Sequence, residues 1–107
     1  MNSVKTPTSD SYVDALIVSL KKPSEAAHYL TAILEVKDPE NDLLKLALSD
    51  VAKALGEVSM SPELSKSHIQ ELDELLKKQG SEAIFGLVHW LNMLGLKIEI
   101  AIASETN

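Results

Sequence analysis

Apolar residues recur at helical spacing along most of the chain. Val13, Leu16, Ile17 and Leu20 fall at i, i+3, i+4 and i+7, which predicts a helix from Ser11, with a strand as the alternative because Leu16-Ile17-Val18 is β-prone. Pro23 pre-sets φ for a first helical position, and Ala26, Ala27, Leu30, Ile33 and Leu34 then line one face of a helix over about 23–36. Asp38-Pro39-Glu40 reads as a second start, with Asp38 as N-cap. The helix behind it carries Leu43, Leu44, Leu46, Ala47, Leu48, Val51, Ala52 and Leu55 and stops at Gly56. It is apolar around much of its girth, as a central helix must be.

From Ser61 the pattern breaks into shorter pieces. Ser61-Pro62-Glu63-Leu64 starts a short turn of helix, and Ser67-His68-Ile69-Gln70 matches a capping box ahead of the stripe Ile69, Leu72, Leu75 and Leu76. Lys77, Lys78 and Gly80 close that helix, with Gly80 as the residue after its C-cap. Ser81-Glu82 opens another, bearing Ile84, Leu87, Val88, Leu91 and Leu94 and ending at Gly95. Beyond it the period changes to two, since Leu96, Ile98, Ile100 and Ile102 alternate with Lys97, Glu99, Ala101 and Ala103. A lone strand needs a partner for its backbone groups, and a second copy of the chain supplies one as an antiparallel ribbon across a dimer axis.

These elements fit one domain. At 107 residues, 45% apolar, the chain can fill one core but not two, and residues 1–9, rich in Ser, Thr, Pro and Asn, are expected to be a flexible N-terminus ahead of a helical domain over 10–107. The chain has no cysteine, which excludes disulfides, thiolate metal sites and a Cys nucleophile. No basic start precedes an apolar run and no run approaches a membrane span, so the expected location is cytoplasmic, with no membrane partner. The net charge is −6, from ten lysines and sixteen acidic residues, with no arginine. That balance argues against non-specific nucleic-acid binding, although a local positive face around Lys66, Lys77 and Lys78 stays open.

The order short helix, turn, helix, Gly-bearing turn, helix over 61–95 is compatible with a helix-turn-helix unit. Lys66, Ser67, His68, Gln70 and Glu71 then stand at the exposed start of a recognition helix, where Ser and Gln reach base edges and Lys66 meets phosphate. An ordinary helix N-terminus explains the same residues, and Glu71, Asp73 and Glu74 repel phosphate unless they point away. Trp90 and Met93 fall off the stripe of their helix, which suits a partner interface or a helix buried on several sides. His28, His68 and His89 make no metal pattern, Glu71 after His68 being a weak pairing, and no nucleophile elbow or phosphate loop is present. No catalytic residue, metal, cofactor or small-molecule substrate is expected.

The run from Leu20 to Leu30, with Pro23-Ser24-Glu25-Ala26-Ala27-His28-Tyr29-Leu30, resembles the opening helix of probable addiction-module antidote proteins. So do Asp38-Pro39-Glu40, the segment from Leu46 to Gly56, and the end from Trp90 to Ile98, and together the similarity covers about residues 12–100. The resemblance implies a HigA-like antitoxin with a lambda-repressor-like helix-turn-helix, dimeric, that neutralises a RelE-like toxin and represses its own operon. Where that family carries a Gly-Leu-Ser turn and Arg-rich recognition residues, this chain has Met60 to Ser67 with neither.

The expectation is therefore an all-α protein, a compact bundle of about five helices, with a helix-turn-helix part over 61–95 and a dimerising β-strand over 96–103. It would act without catalysis, as an antitoxin and DNA-binding autoregulator holding operator DNA and its toxin. The alternative is a toxin-binding dimer that has lost DNA binding. Trp90, Met93, Ile98, Ile100 and Ile102 are the expected interface residues.

Overall fold

The computed structural model describes residues 9–103, which form α1 (Ser9–Leu20), α2 (Pro23–Leu34), α3 (Leu43–Ser59), α4 (Pro62–Leu76) and α5 (Gly80–Asn92). The expected flexible N-terminus lies outside the described residues except for Ser9, which is already helical. Pro23 does head α2, where its missing N–H costs nothing. Ile17 and Leu20 of α1 are buried and Val13 and Leu16 packed beside them, so the helical reading of that segment prevails over the strand.

The helix of widest apolar girth is the hub. Ala47, Leu48, Val51, Ala52, Ala54 and Leu55 of α3 are all buried, and α3 packs against α1, α2 and α4. One contiguous core joins these to Ala26 and Leu30 of α2, Leu72 and Leu75 of α4, and Trp90 and Leu91 of α5. Burial of this apolar area is the main stabilising term.

Four boundaries differ from the sequence pattern. Asp38 does not cap a helix: its φ is 51°, left-handed, and α3 begins only at Leu43 behind Asp42. Gly56 does not end α3, which continues to Ser59. Its small size serves packing instead, because a Cβ built there would collide with the Ser65 side chain of α4. The third concerns 61–76, where a short helix and a separate one were expected. Ser61 caps α4, its Oγ accepting from the Leu64 N–H at 3.1 Å, and the helix runs unbroken to Leu76 because Ser65-Lys66-Ser67 holds neither Gly nor Pro to interrupt it.

Of the two glycine stops, Gly95 agrees with expectation, whereas Gly80 does not follow the C-cap of α4, which is Lys77, and is instead the first residue of α5. Gly80 (φ 60°) and Gly95 (φ 88°) both take left-handed backbone that side chains disfavour, Gly80 at the turn into α5 and Gly95 after its end. Residues 96–103 follow without regular structure, and no strand occurs among the described residues. The architecture is thus an all-helical, compact bundle of five helices.

The crossing at Gly56 gives a direct test. Gly56→Val should lower the unfolding free energy by about 1–3 kcal/mol, the usual cost of overpacking, measured by urea titration. Ser65→Gly in the same chain should recover part of that loss.

Candidate functional site

Helix α4 was expected to bear the reading head, and its real start shifts every candidate by a turn or more. The first turn is Pro62-Glu63-Leu64-Ser65, exposed but for half-buried Ser65, and it offers a carboxylate and no cation. Lys66, Ser67, Gln70 and Glu71 are exposed but lie within the helix and not at its N-terminus. At 100° per residue Lys66, Ser67 and Gln70 share the outward face with Glu63 and Glu74. The three lysines proposed as a positive face do not form one. Lys77 sits 3.6 Å from Glu74 and Lys78 3.4 Å from Glu82, while Lys66 is about 16 Å away along the helix axis.

His68 is a correction to the expected surface, for it is 2% exposed. Its imidazole stacks on the indole of Trp90, with ring centroids 4.5 Å apart and planes inclined by 9°. The Trp90 Nε1–H donates to the His68 backbone oxygen at 2.8 Å. Neither ring nitrogen of His68 has a hydrogen-bond partner, and Glu71 Oε1, at 3.8 Å from Nδ1, is too far to be one. Burial holds the His68 pKa below its ordinary 6.5, outweighing the pull of the Glu71 carboxylate in the other direction.

Trp90 is likewise not an interface residue. It is 3% exposed and serves as the anchor of α5 on α4, whereas Met93 is exposed. Trp90 and Leu91 are the buried residues of α5, with Ala83, Gly86, Leu87 and Val88 half-buried, an arc rotated by part of a turn from the stripe read off the sequence. The cause is Gly86. A Cβ there would meet the Leu75 side chain, so the smallest residue of α5 faces α4 and draws the two helices together. The rotation leaves Ile84 (62% exposed) and Phe85 (72%) in the open, with Leu76 of α4 also exposed. Sequence reasoning put Ile84 on the inward stripe of this helix. A Gly and an Ala three residues apart, Ala83 and Gly86, were the signal that the close-packed side lay elsewhere.

The tail adds a second apolar surface. Ile98, Ile100 (95% exposed) and Ile102 (88%) are solvent-facing, as an unpartnered segment must be. Beside it, α2 and the tail line a groove of about 350 Å³ that includes Leu30, Leu34, Leu91, Leu96 and Ile98. A shallower cleft of about 230 Å³ lies between α4 and α5, with Glu71, Glu74, Lys78 and His89 at its polar side. Among the described residues no cluster of three His, Asp or Glu side chains is placed to hold a metal, and no helix is long and apolar enough to cross a membrane.

No protein-family model matches the chain, and comparison with curated proteins and with solved structures finds no match either.

The His68–Trp90 stack makes a pH test. Because the folded pKa of His68 is lowered, the unfolded chain takes the proton first, so stability is full above pH 6.5 and declines as pH falls below it. The slope attributable to one such group is at most about 1.4 kcal/mol per pH unit. His68→Phe, which keeps a ring against Trp90 and removes two unpaired nitrogens, should match or exceed the parent's stability at pH 7 and show a shallower loss between pH 6.5 and 5. Identical pH profiles in urea titrations of the two proteins would count against a neutral, buried imidazole.

Proposed function

We propose that this chain is a non-catalytic protein-binding module of antitoxin type, a homodimer that clasps a basic protein partner such as a RelE-like toxin. The observation that carries the reading is the open apolar face at the α4–α5 end, where Ile84 and Phe85 project and Leu76 is exposed. Large apolar side chains left in water at one end of a helix pair favour an occupant. Aromatic anchors of this kind supply most of the energy at protein interfaces.

Charge gives the partner its chemistry. The net −6 attracts a cationic protein, raises its association rate and turns away acidic ones. Lys66 is the one lysine of α4, and Lys77 and Lys78 just beyond it are already paired with carboxylates, so a phosphate backbone finds little free positive charge there. The order of sequence signals resembling the HigA-like antitoxins points to the same class of partner. That resemblance also motivates a lambda-repressor-like arrangement of α3 and α4.

A second reading, operator binding and autoregulation, draws on the exposure of Lys66, Ser67 and Gln70 along one strip of α4. Glu63 and Glu74 on that strip oppose it. The protein-binding reading therefore takes precedence.

Co-expression with the product of the neighbouring gene tests this directly. A stable complex with a small basic protein is expected, weakened about tenfold or more by Phe85→Ala, with helix content unchanged by circular dichroism. A gel-shift titration with the upstream region at low and moderate salt should show no retardation beyond that of random duplex. Sequence-specific retardation, or a complex indifferent to Phe85, would transfer the function to the α4 strip.

A further inference from the structure

The tail carries only two charges between Leu96 and Ala103, Lys97 and Glu99, and they flank Ile98 symmetrically. The aliphatic residues of the same stretch, Leu96, Ile98, Ile100 and Ile102, occupy the alternate positions. Ile100 and Ile102 are the most exposed large aliphatic residues described. We infer that a second copy of this chain pairs with residues 96–100 as an antiparallel strand whose two-fold axis passes at Ile98, bringing Lys97 of each copy opposite Glu99 of the other. This inference rests on the dimeric part of the reading above and specifies its partner and register.

The register follows from elimination among pairings that keep apolar positions on a common face. Residues directly opposite one another in an antiparallel pair project to the same side, and a slip of one residue puts every isoleucine against a charged or small position. With the axis at Ile98, Leu96 faces Ile100 of the second copy and Ile98 faces itself. Two Lys97–Glu99 pairs then form on the opposite side. An axis at Lys97 or at Glu99 sets like charges against each other. An axis at Ile100 keeps the aliphatic rungs but leaves Lys97 opposite Ala103 and Glu99 opposite Ala101, with no charge satisfied. Only the first arrangement uses both charges.

That arrangement also has somewhere to put the exposed side chains. Ile100 of the second copy comes beside Leu96, which lines the groove shared with Leu30, Leu34 and Leu91 of the first, a groove that Lys97 and Glu99 also line. Its Ile102 lies one rung further on, toward Leu94. A two-stranded ribbon alone is marginal in water, and this groove provides the apolar backing that such a ribbon needs.

The absence of native cysteine makes the register directly readable by single-cysteine crosslinking of the full chain. Under a mild oxidant Ile98→Cys should crosslink to near completion, since directly opposed residues lie about 4.5–5.5 Å apart between Cα atoms. Ile100→Cys should not, because the two copies of that position are separated by about four residues, or roughly 13 Å. In sedimentation, Lys97→Glu or Glu99→Lys alone should raise the dimer dissociation constant about tenfold. The double variant Lys97→Glu with Glu99→Lys should restore it. A dimer that crosslinks at Ile100 in preference to Ile98, or whose strength ignores the single charge reversals, overturns this register and leaves the dimeric reading standing. A parent chain that sediments as a monomer at all accessible concentrations overturns the homodimer itself. Co-purification with a basic partner is read separately, so the protein-binding proposal does not fall with either result.

Discussion

The indole N–H of Trp90 reaches the main-chain oxygen of His68 while its ring lies flat on the His68 imidazole. This is the joint between α5 and the rest of the molecule, because α5 packs on α4 and α4 in turn packs on the α3 hub. A ring stack and a hydrogen bond made by the same two residues fix both the distance and the rotation of the last helix. Gly86 permits the approach and Trp90 sets its angle. Once that angle is set, the exposure of Ile84 and Phe85 is a geometric consequence and not an independent choice.

The buried histidine is costly as well as useful. Two ring nitrogens without partners oppose folding, and burial disfavours the charged form of the ring. What offsets this cost is the flat contact with Trp90, which a branched aliphatic side chain cannot reproduce. The interior of the α4–α5 pair is therefore specified by shape more than by polar satisfaction.

Much of the architecture was legible in the sequence, for reasons that can be named. Pro23 and Gly95 act through backbone constraints that hold in any context, and they mark a helix start and a helix stop as expected. The apolar girth of α3 made it the hub because such a helix has no polar face to give to water. The errors share a different cause. Gly56 read as a stop and Ser67 as a start, since both residue types favour helix ends, yet one is needed small beneath Ser65 and the other merely rides on an unbroken helix. His68 was read at the exposed start of a helix, and Trp90, off the stripe of its own helix, as an interface residue or as part of a helix buried on several sides. Nothing local reveals that they pair across 22 residues of chain. The candidate site suffered most, since a rotation of α5 by part of a turn, set by tertiary contact, decides which side chains face outward.

Ile84 and Phe85 contribute little to the interior that holds α5 in place. Replacements at these positions are thus nearly free of folding constraint, whereas Gly86 and Trp90 on the other side of the same helix are closely bound by it. A helix divided in this way lets its outer surface vary from one descendant of the chain to the next while the scaffold is inherited intact.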